Sequence, residues 1–480
     1  MPNKVYLTTT LPYVNADPHI GFAAELVHAD IVARYWLLKG DEVFLNTGTD
    51  EHGLKIYRQA LATGQDPKIY VDQYAEKFKN LKTVLGLWEG INFIRTTDAH
   101  HVAAAQEFWR RSRAAGDIYK KQYKIKYCVG CELEKTESEL ENGRCLLHPN
   151  LELEIIEEEN YFFKFSKYQP ALLQLYAERP DFVVPDFRFN EIKAFVARGL
   201  EDFSISRLAS KLPWGVPVPD DPTQVMYVWF DALVSYLSDI GWPDDEAKFK
   251  NWWPVTQFAG KDNLRQQSAM WQAMLRSVDL PPSKQIIIRG FVTGDGGQKM
   301  SKSLGNVINP FDVVKEYGTD AVRYFLARHV NPFEDSPVTL ERIREAYNAG
   351  LANGLGNLVS RVMKMATTYL HEPVEITQET ITDASVAGYL ESFDIKIAID
   401  MIWERVGHDD ALIAVKKPFT EIKSDNEEKR NESLLVIKKL VRELDAIATD
   451  LEPFMPTTAK LIKDLVANNR MPDQPLFLRK

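Results

Sequence analysis

Apolar and polar positions follow two alternating periodicities along the first 115 or so residues of the chain. Short β-branched and aromatic runs, such as Val5-Tyr6-Leu7-Thr8-Thr9, precede longer segments with helical spacing. The pattern predicts strands at 4–9, 42–46 and 91–95 and helices at about 21–38, 53–62, 69–85 and 98–115. Such alternation is typical of a parallel α/β sheet.

The alternation stops between about residues 117 and 225 and then resumes. This stretch contains the acidic run Glu157-Glu158-Glu159 and proline-punctuated segments, which favour an inserted domain. Beyond it the pattern predicts strands at 225–229, 255–260 and 286–288 and helices at 231–240 and 262–277. A split, doubly wound, Rossmann-type sheet is expected, with its ligand cleft at the carboxyl ends of the strands.

After about residue 340 the apolar positions follow a period of 3.6 residues, which predicts an all-α helical bundle. The clearest spacings are Leu434, Ile437, Leu440, Val441 and Leu444. The predicted Rossmann-type catalytic domain has two halves, 1–116 and 226–290, with the insertion at 117–225 between them. A lysine-loop and stem-contact region is predicted at 291–340, and the bundle at 341–480.

Composition narrows the possible partners. The formal net charge of −10 argues against indiscriminate nucleic-acid binding, so an RNA partner would need local basic surface, for example around Arg110-Arg111-Ser112-Arg113 or Lys416-Lys417. No apolar run approaches the roughly 18 residues of a membrane span, and the charged start leads into a strand. We therefore expect a cytoplasmic protein with no membrane contact.

All three cysteines lie in one window, as Cys128-x-x-Cys131 and Cys145-x-x-His148. Two chelating pairs of this spacing satisfy the tetrahedral demand of Zn²⁺ and leave no open position, so a structural zinc knuckle is predicted. The alternative is three reduced cysteines without a metal, which is ordinarily commoner inside cells. The spacing and the fourth ligand favour zinc.

Two motifs point to nucleotide chemistry. Lys299 and Lys302, three apart in a loop that follows glycine-rich residues 294–297, can neutralise a triphosphate while its α-phosphate is attacked. Near the other end, His19 and Gly21 lie between a predicted strand and a predicted helix, a geometry that binds phosphate. Each motif is weak alone. The ordered pair resembles the HIGH and KMSKS signatures of class I aminoacyl-tRNA synthetases.

Further segments resemble the methionyl-tRNA synthetases, and the match runs from residue 4 to about 365. They are Leu11-Pro12-Tyr13, the run 48–53, the run 227–232 with Tyr236, Gly260-Lys261-Asp262 and the zinc knuckle. The resemblance implies a two-step reaction: ATP and L-methionine form methionyl-adenylate, and methionine tRNA then takes the acyl group. It also implies Mg²⁺ on the phosphates and one structural Zn²⁺ per chain.

The resemblance assigns roles to individual residues. His19, Lys299 and Lys302 are expected to be catalytic. The nucleotide would lie against Gly21, Phe22, Glu25, Gly260, Asp262, Ser301 and Arg207. Methionine would contact Leu11, Tyr13, Asp50, Trp229, Ala232 and Tyr236. The tRNA anticodon would be read by Asn357, Arg361 and Phe419.

The chain departs from the family pattern at several positions. Phe22 stands where a second histidine is expected, which removes one donor to the triphosphate. Asn263 and Gln267 replace an apolar residue and a histidine, and Leu233 replaces a proline. The chain ends soon after the predicted bundle, without an appended dimerisation domain, so a monomer is expected.

Other functions fit parts of the pattern. A catalytically inactive RNA-binding relative would explain Phe22, but the lysine loop, Glu25 and Asp262 would then have no evident use. An adenylate-forming ligase with another acceptor would leave Asn357 and Arg361 without a role. A synthetase for a different amino acid is the nearest alternative.

Overall fold

The computed structural model of the chain describes residues 2–131, 133–135, 139–298, 300, 307–376 and 383–480. Its strands are β1 Lys4–Thr8, β2 Glu42–Thr49, β3 Asn92–Arg95, β4 Ile118–Cys128, β5 Leu133–Lys135, β6 Leu140–Glu141, β7 Arg144–Cys145, β8 Glu154–Phe163, β9 Val183–Val184, β10 Phe203–Ser204, β11 Ser206–Leu208, β12 Gln224–Met226, β13 Thr256–Gly260, β14 Gln285–Arg289, β15 Val292–Thr293 and β16 Ser336–Pro337.

The helices fall into two groups. Those of the first 330 residues are α1 Ile20–Leu38, α2 Leu54–Ala62, α3 Pro67–Val84, α4 Ala99–Ala114, α5 Gln169–Glu178, α6 Asp186–Ala197, α7 Val228–Ala232, α8 Ser235–Ser238, α9 Glu246–Trp252, α10 Trp271–Ser277, α11 Pro310–Tyr317 and α12 Thr319–Arg328. Those of the C-terminal region are α13 Leu340–Ala346, α14 Gly356–Tyr369, α15 Ala384–Glu391, α16 Ile395–Lys416, α17 Pro418–Glu421, α18 Glu427–Leu451 and α19 Pro456–Ala467.

The central sheet has six parallel strands in the order β3-β2-β1-β13-β14-β9. The chain runs outward from β1 to β3 on one side and returns to pair β13 with β1 on the other. The carboxyl ends of β1 and β13 therefore flank a topological switch point, where ligands bind in such sheets. This confirms the predicted class of fold, and the region after residue 340 is all-helical in its described part, as predicted.

The strand predicted at 225–229 is wrong in two respects. Only Gln224–Met226 forms a strand, and it pairs antiparallel with β11 outside the central sheet. Tyr227 then caps helix α7, which buries Phe230 completely against Phe108 and Trp109. Packing of this aromatic group overrides the β propensity of the segment.

The helices predicted at 231–240 and 262–277 are each interrupted. The first consists of α7 and α8, joined by a turn. The second begins as a 3₁₀ turn at Lys261–Asn263, continues as a π-helix at Gln266–Met270 and becomes α-helical only from Trp271. A π-helical segment places its side chains differently from an α-helix and is frequent at functional sites.

The stretch 117–225 is not an insertion throughout. Its strand β9 forms the sixth strand of the central sheet, and helices α5 and α6 pack in the same core through Tyr176 and Phe189. Its first part differs: β4 and β8 form a long antiparallel pair in a separate sheet of order β10-β8-β4-β5. The first cysteine, Cys128, is the last residue of β4. The domain boundaries themselves stay a prediction.

Helix α1 is buried on nearly every side, because it lies between the sheet and the C-terminal helices in one continuous apolar core. The other face of the sheet covers a second core with α4, α8 and α10. Among the helices that the structure describes, none is long and apolar enough to span a membrane.

Candidate active site and metal centre

His19 is the N-cap of α1, at the switch point of the sheet. Its Nδ1 accepts a hydrogen bond from the Gly21 N–H at 3.1 Å, and its side chain is exposed. With Nδ1 as the acceptor, the neutral imidazole carries its proton on Nε2 and can act as a donor there. The exposed imidazole and the N-terminus of a 19-residue helix together favour an anion.

Gly21 is required by close approach. A Cβ at this position would lie 3.0 Å from Nδ1 and Cε1 of His19 and 3.5 Å from Cβ of Val292. Any larger residue would therefore displace the histidine ring. Val292 belongs to β15, so the segment that leads into the lysine loop begins beside His19.

Phe22, one residue after Gly21, is packed among apolar side chains. Its ring packs edge-on against Phe78 in the core, with centroids 5.5 Å apart, and its backbone N–H is bonded to the His19 carbonyl. Its assignment to the nucleotide site stays a prediction. Phe22 is a packing residue, because the same side of α1 that carries it faces apolar side chains.

Glu25 lies beneath the cleft with its carboxylate held in place. One oxygen accepts the Thr10 backbone N–H at 2.7 Å and the Thr10 hydroxyl at 2.6 Å. Burial raises the pKa of Glu25, and the positive charge of Arg289 opposes that rise. Asp262 lies within electrostatic reach, so the two acids predicted to hold the ribose are neighbours.

Arg289 is a charged residue of this region that the sequence reading missed. It is 3% exposed at the end of β14 and pairs in register with Gly260 of β13. Burial lowers the pKa of its guanidinium to about 10, so the charge persists at neutral pH. In the sequence, its position directly after the apolar run 286–288 was the one feature that indicated a charged residue at the end of a buried strand. Gly260 itself is needed because a Cβ there would lie 2.7 Å from Asp262 Oδ1.

The predicted amino-acid pocket lies on the other side of the same strand ends. Tyr13 and Asp50 form an isolated parallel bridge, so the segments after β1 and β2 run side by side, with Leu11 just before them. The Tyr13 ring stands edge-on to Trp229 at 6.4 Å. Ala232 and Tyr236 are both buried in the helical turns that follow Trp229.

Asp231, between Trp229 and Ala232, is a second residue that the sequence reading missed. It is fully buried and accepts from two histidines, His52 Nδ1 at 2.6 Å and His101 Nε2 at 2.7 Å. Burial alone raises the pKa of this carboxyl, but the two imidazoles outweigh it and hold the pKa at about 2. Asp231 thus ties α7 to the turn after β2 and to α4, and it fixes two walls of the pocket.

Arg207 is on β11 and is mostly buried. Its Nη1 donates to the Ser204 hydroxyl at 2.8 Å and to the Ser206 carbonyl at 2.7 Å. The guanidinium also lies over the rings of Tyr227, at 4.5 Å, and Tyr127, at 5.3 Å. These contacts place it directly before α7, and its predicted contact with the nucleotide stays a prediction.

The four predicted metal ligands meet in one cluster. The ligand atoms of Cys128, Cys131, Cys145 and His148 all lie within 4.8 Å of one another. Cys131 Sγ is 3.2 Å from His148 Nδ1 and 3.4 Å from Cys145 Sγ. A Cβ on Gly130 would be 2.6 Å from the His148 ring, so glycine allows the imidazole to close on the thiols. Three sulfurs and one imidazole nitrogen are a donor set that fits Zn²⁺.

Lys299, Ser301 and Lys302 lie outside the described residues, so their predicted roles stay predictions. The segment that precedes them is described. Its strand β15 pairs with β16, and Gly296 and Gly297 have φ angles of 72° and 77°, which favour glycine.

The predicted anticodon residues lie in the C-terminal region. Asn357 is exposed and Arg361 half-buried, one turn apart on α14. Arg361 forms an ion pair with Asp410. Phe419 is 44% exposed on α17, a helix that begins directly after Lys417, whose left-handed backbone ends α16.

Comparison with known proteins gives matches along the whole chain. The family model for tRNA synthetases class I (M) matches residues 5–145 and 130–363. The methionine–tRNA ligase of Thermosynechococcus vestitus is 48% identical over 374 residues, 76% of this chain and 69% of that protein. That of Thermotoga maritima is 39% identical over an alignment of 487 residues, 98% of this chain and 76% of that protein.

Solved structures agree. Mycobacterium tuberculosis methionyl-tRNA synthetase in complex with methionyl-adenylate superposes with a TM-score of 0.90 at 35% identity, covering 99% of this chain and 95% of that one. The apo form from the same organism gives 0.84 at 31% identity, covering 100% and 99%. The structural similarity to these two proteins therefore extends over the central sheet, the antiparallel sheet β10-β8-β4-β5 and the C-terminal helices.

Proposed function

The chain belongs to the methionine–tRNA ligase family of class I tRNA synthetases and is an aminoacyl-tRNA ligase, and from this premise we propose how its cleft works. It joins L-methionine to ATP as methionyl-adenylate and transfers the methionyl group to methionine tRNA. The observation that carries the proposal is one cleft in which His19 caps α1 on one side and Asp50, Tyr13 and Trp229 meet on the other.

In the first step a carboxylate oxygen of methionine attacks the α-phosphorus of ATP. The bond from that phosphorus to the oxygen bridging to the β-phosphate breaks, and pyrophosphate leaves. No enzyme nucleophile is needed, so catalysis rests on alignment and on stabilisation of charge. In the second step the terminal ribose hydroxyl of the tRNA attacks the methionyl carbonyl, and AMP leaves.

The roles on the nucleotide side are those that the family resemblance predicts, and the arrangement of His19, Glu25 and Asp262 supports them. His19 Nε2–H donates to the triphosphate at the helix N-terminus, while Glu25 and Asp262 accept from the ribose hydroxyls beside Gly260. Gly21 keeps the His19 ring in place. Lys299 and Lys302, with Ser301, would neutralise charge on the triphosphate, and Arg207 would support the same anionic region. Mg²⁺, when bound, would supply further positive charge there.

In the amino-acid pocket, different residues contact the charged α-amino group and the apolar side chain of methionine. Asp50 accepts from the α-amino group, aided by the backbone of Leu11. Tyr13, Trp229, Ala232 and Tyr236 enclose the side chain. Aromatic faces suit a polarizable thioether, since sulfur packs favourably against rings.

The cysteine cluster would hold one structural Zn²⁺ through three thiolates and the His148 imidazole. With all four positions filled by the protein, the ion supplies a cross-link and no chemistry to the reaction. We expect one zinc per chain by elemental analysis, and loss of that zinc in a Cys145→Ala variant. Metal-free protein with normal stability would contradict this assignment.

The tRNA partner would be read by Asn357, Arg361 and Phe419. An amide and a guanidinium can hydrogen-bond exposed base edges, and a phenyl ring can stack on a base. Arg361 would exchange Asp410 for a base when tRNA binds. A monomeric state and a cytoplasmic location belong to the same proposal.

The test separates the two steps. Charging of methionine tRNA with labelled methionine should fall at least about fivefold in Arg361→Ala and Phe419→Ala, since stacking and base contacts each contribute about 1–3 kcal/mol. ATP–pyrophosphate exchange, which needs no tRNA, should be unchanged in both variants. Equal loss of both activities would mean that these residues support the fold and do not read tRNA.

A further inference from the structure

Arg289 is a buried arginine that forms no ion pair with any residue that the structure describes. Its Nε and Nη2 are both buried and have no hydrogen-bond partner in that part of the chain. Arg323, which is also buried, pairs with Asp30 and donates to three backbone carbonyls. A guanidinium that is buried without such partners is unfavourable for folding, so Arg289 points to a use other than stability.

The alternation of β14 places the Arg289 side chain on the α1 side of the sheet. Ile287 lies in the apolar core that contains α1, whereas its two neighbours in the strand lie in the core on the other face. Arg289 is two residues further along and has the same orientation as Ile287. The residues of α1 that its charge reaches are Glu25 and His28, which are one turn apart.

Glu25 is the acid nearest to this unpaired charge. Its Oε1 accepts both hydrogen bonds from Thr10, so one side of the carboxylate is fixed, whereas Oε2 bonds to no described residue. Burial opposes the ionisation of Glu25, and the negative charge of Asp262, in the turn after β13, opposes it further. Arg289 acts against both effects, and Glu25 is the acid whose charge acts on Arg289 in return.

The other titratable groups around Glu25 supply no positive charge. Burial, and then Arg289, lower the pKa of His28 well below its ordinary value, so this imidazole is neutral. The Tyr236 hydroxyl of α8 lies within electrostatic reach of Glu25 and is uncharged, because burial raises its pKa. Within the described ranges, Arg289 is therefore the one cation that favours the ionised form of Glu25.

We propose that Arg289 is a positioning residue whose unpaired charge keeps the Glu25 carboxylate ionised, so that Oε2 accepts a hydrogen bond from a ribose hydroxyl of ATP. This inference rests on the proposed function and deepens it. A hydrogen bond to an ionised carboxylate is roughly twice as strong as one between neutral groups. Arg289 thus acts through Glu25 and makes the cleft select ribose over deoxyribose.

The probes are 2′-deoxyATP and 3′-deoxyATP, each of which lacks one ribose hydroxyl. The measured quantity is kcat/KM for ATP divided by kcat/KM for each analogue in methionine-dependent pyrophosphate exchange. Both values come from one preparation, so the ratio does not depend on the fraction of folded enzyme. At about pH 6, Arg289→Met should lower this ratio about twofold to tenfold for at least one analogue, the range of one net hydrogen bond.

The pH profile is a second readout, which a purely structural role would not move. The pH dependence of kcat/KM for ATP reports the ionisation of the free enzyme, and the titration of ATP itself is common to all variants. Loss of the Arg289 charge raises the pKa of Glu25, so the acid limb in Arg289→Met should lie about 1–3 pH units above that of the wild type. Arg289→Lys keeps a positive charge at acidic pH, and its limb should stay near that of the wild type.

A double variant separates Glu25 from His28, the other group that Arg289 faces. Adding Arg289→Met to Glu25→Gln should change neither the nucleotide ratio nor the acid limb any further, because Arg289 acts only through Glu25. If the acid limb moves in the double variant as it does in Arg289→Met, the effect belongs to His28 and the inference is wrong.

Urea unfolding completes the test. Arg289→Met should be at least as stable as the wild type, since it removes a buried charge that has no partner. Loss of folded protein in this variant, or equal losses for ATP and both analogues, would overturn the inference and leave Arg289 a structural residue. Wild-type protein without methionine-dependent exchange would instead refute the proposed function.

Discussion

Two buried carboxylates hold different parts of this enzyme together, one at the amino-acid pocket and one at the junction of the sheet with the C-terminal helices. Asp231 binds two histidines inside a single pocket. Asp30 of α1 accepts from the Trp88 N–H at 2.6 Å and from Arg34 and Arg323, at 2.8 and 2.7 Å. Both carboxylates are fully buried.

The two carboxylates differ in the residues that bind them. Arg323 is itself fully buried and also donates to the carbonyl oxygens of Leu85, Pro453 and Phe454, so it joins the sheet layer to the turn before α19. Guanidinium groups keep their charge at every physiological pH. The junction is thus a permanent ion pair, whereas the pocket rests on a carboxylate held between two imidazoles.

The largest effect is expected at the junction. Arg323→Met should lower the free energy of unfolding by about 3–5 kcal/mol, because it breaks a fully buried ion pair with Asp30 and removes the donor to three carbonyls. Urea unfolding measures it. Arg328→Met is the control on the same helix: its ion pair with Asp400 is partly exposed, so its loss should cost no more than about 1 kcal/mol. Equal losses in the two variants would remove the special role of Arg323.

At the pocket a conservative change should act on stability and on substrate together. Asp231→Asn keeps the side-chain volume, but the new amide N–H group meets one of the two imidazoles donor to donor. The free energy of unfolding should therefore fall by about 1–3 kcal/mol. The KM for methionine in pyrophosphate exchange should rise in this variant. In folded Arg323→Met protein it should not, and a rise there would show that the two regions are coupled.

Acid should weaken the pocket through Asp231. Its pKa is about 2 when folded, below the ordinary 3.8, so its stabilising contribution is complete above about pH 4 and is lost as the pH falls through the folded value. Between pH 5 and pH 3 the loss should be about 1 kcal/mol in the wild type. Asp231→Asn should lack this part of the pH dependence; parallel curves would contradict the assignment.

The smallest effect on stability is expected at the rim of the cleft. In Gly21→Ala the new methyl group displaces the His19 ring and leaves both buried carboxylates untouched. The free energy of unfolding should change by less than about 1 kcal/mol, since alanine is the better helix former. Yet kcat/KM for ATP should fall about tenfold or more, because alignment of the reacting groups is lost. Unchanged kinetics would place His19 outside the reaction.

Sequence periodicity located the elements whose pattern is local. The structure contains the predicted strands at 4–9, 42–46 and 91–95 and the predicted helix at 98–115. These elements were predictable because their patterns of apolar and polar residues involve neighbouring positions only. The zinc ligands meet for a similar reason, since each pair lies on one turn. Strand β9 has only two residues and offered no pattern to read.

Other features depend on residues distant in sequence. Asp231 finds its partners 179 and 130 residues away, so no local spacing indicated a buried carboxylate between two imidazoles. The strand expected at 225–229 became a helical turn for the same reason, because distant aromatic residues bury Phe230. Phe22 was assigned by its place in a motif, whereas Phe78 decides where its ring lies.

The central claim is that this cleft activates methionine with ATP. The most direct test is ATP–pyrophosphate exchange on the purified, zinc-loaded protein, run without tRNA and with each of the twenty amino acids in turn. The account predicts exchange with methionine alone. Exchange with a different amino acid, or none with any, would contradict it.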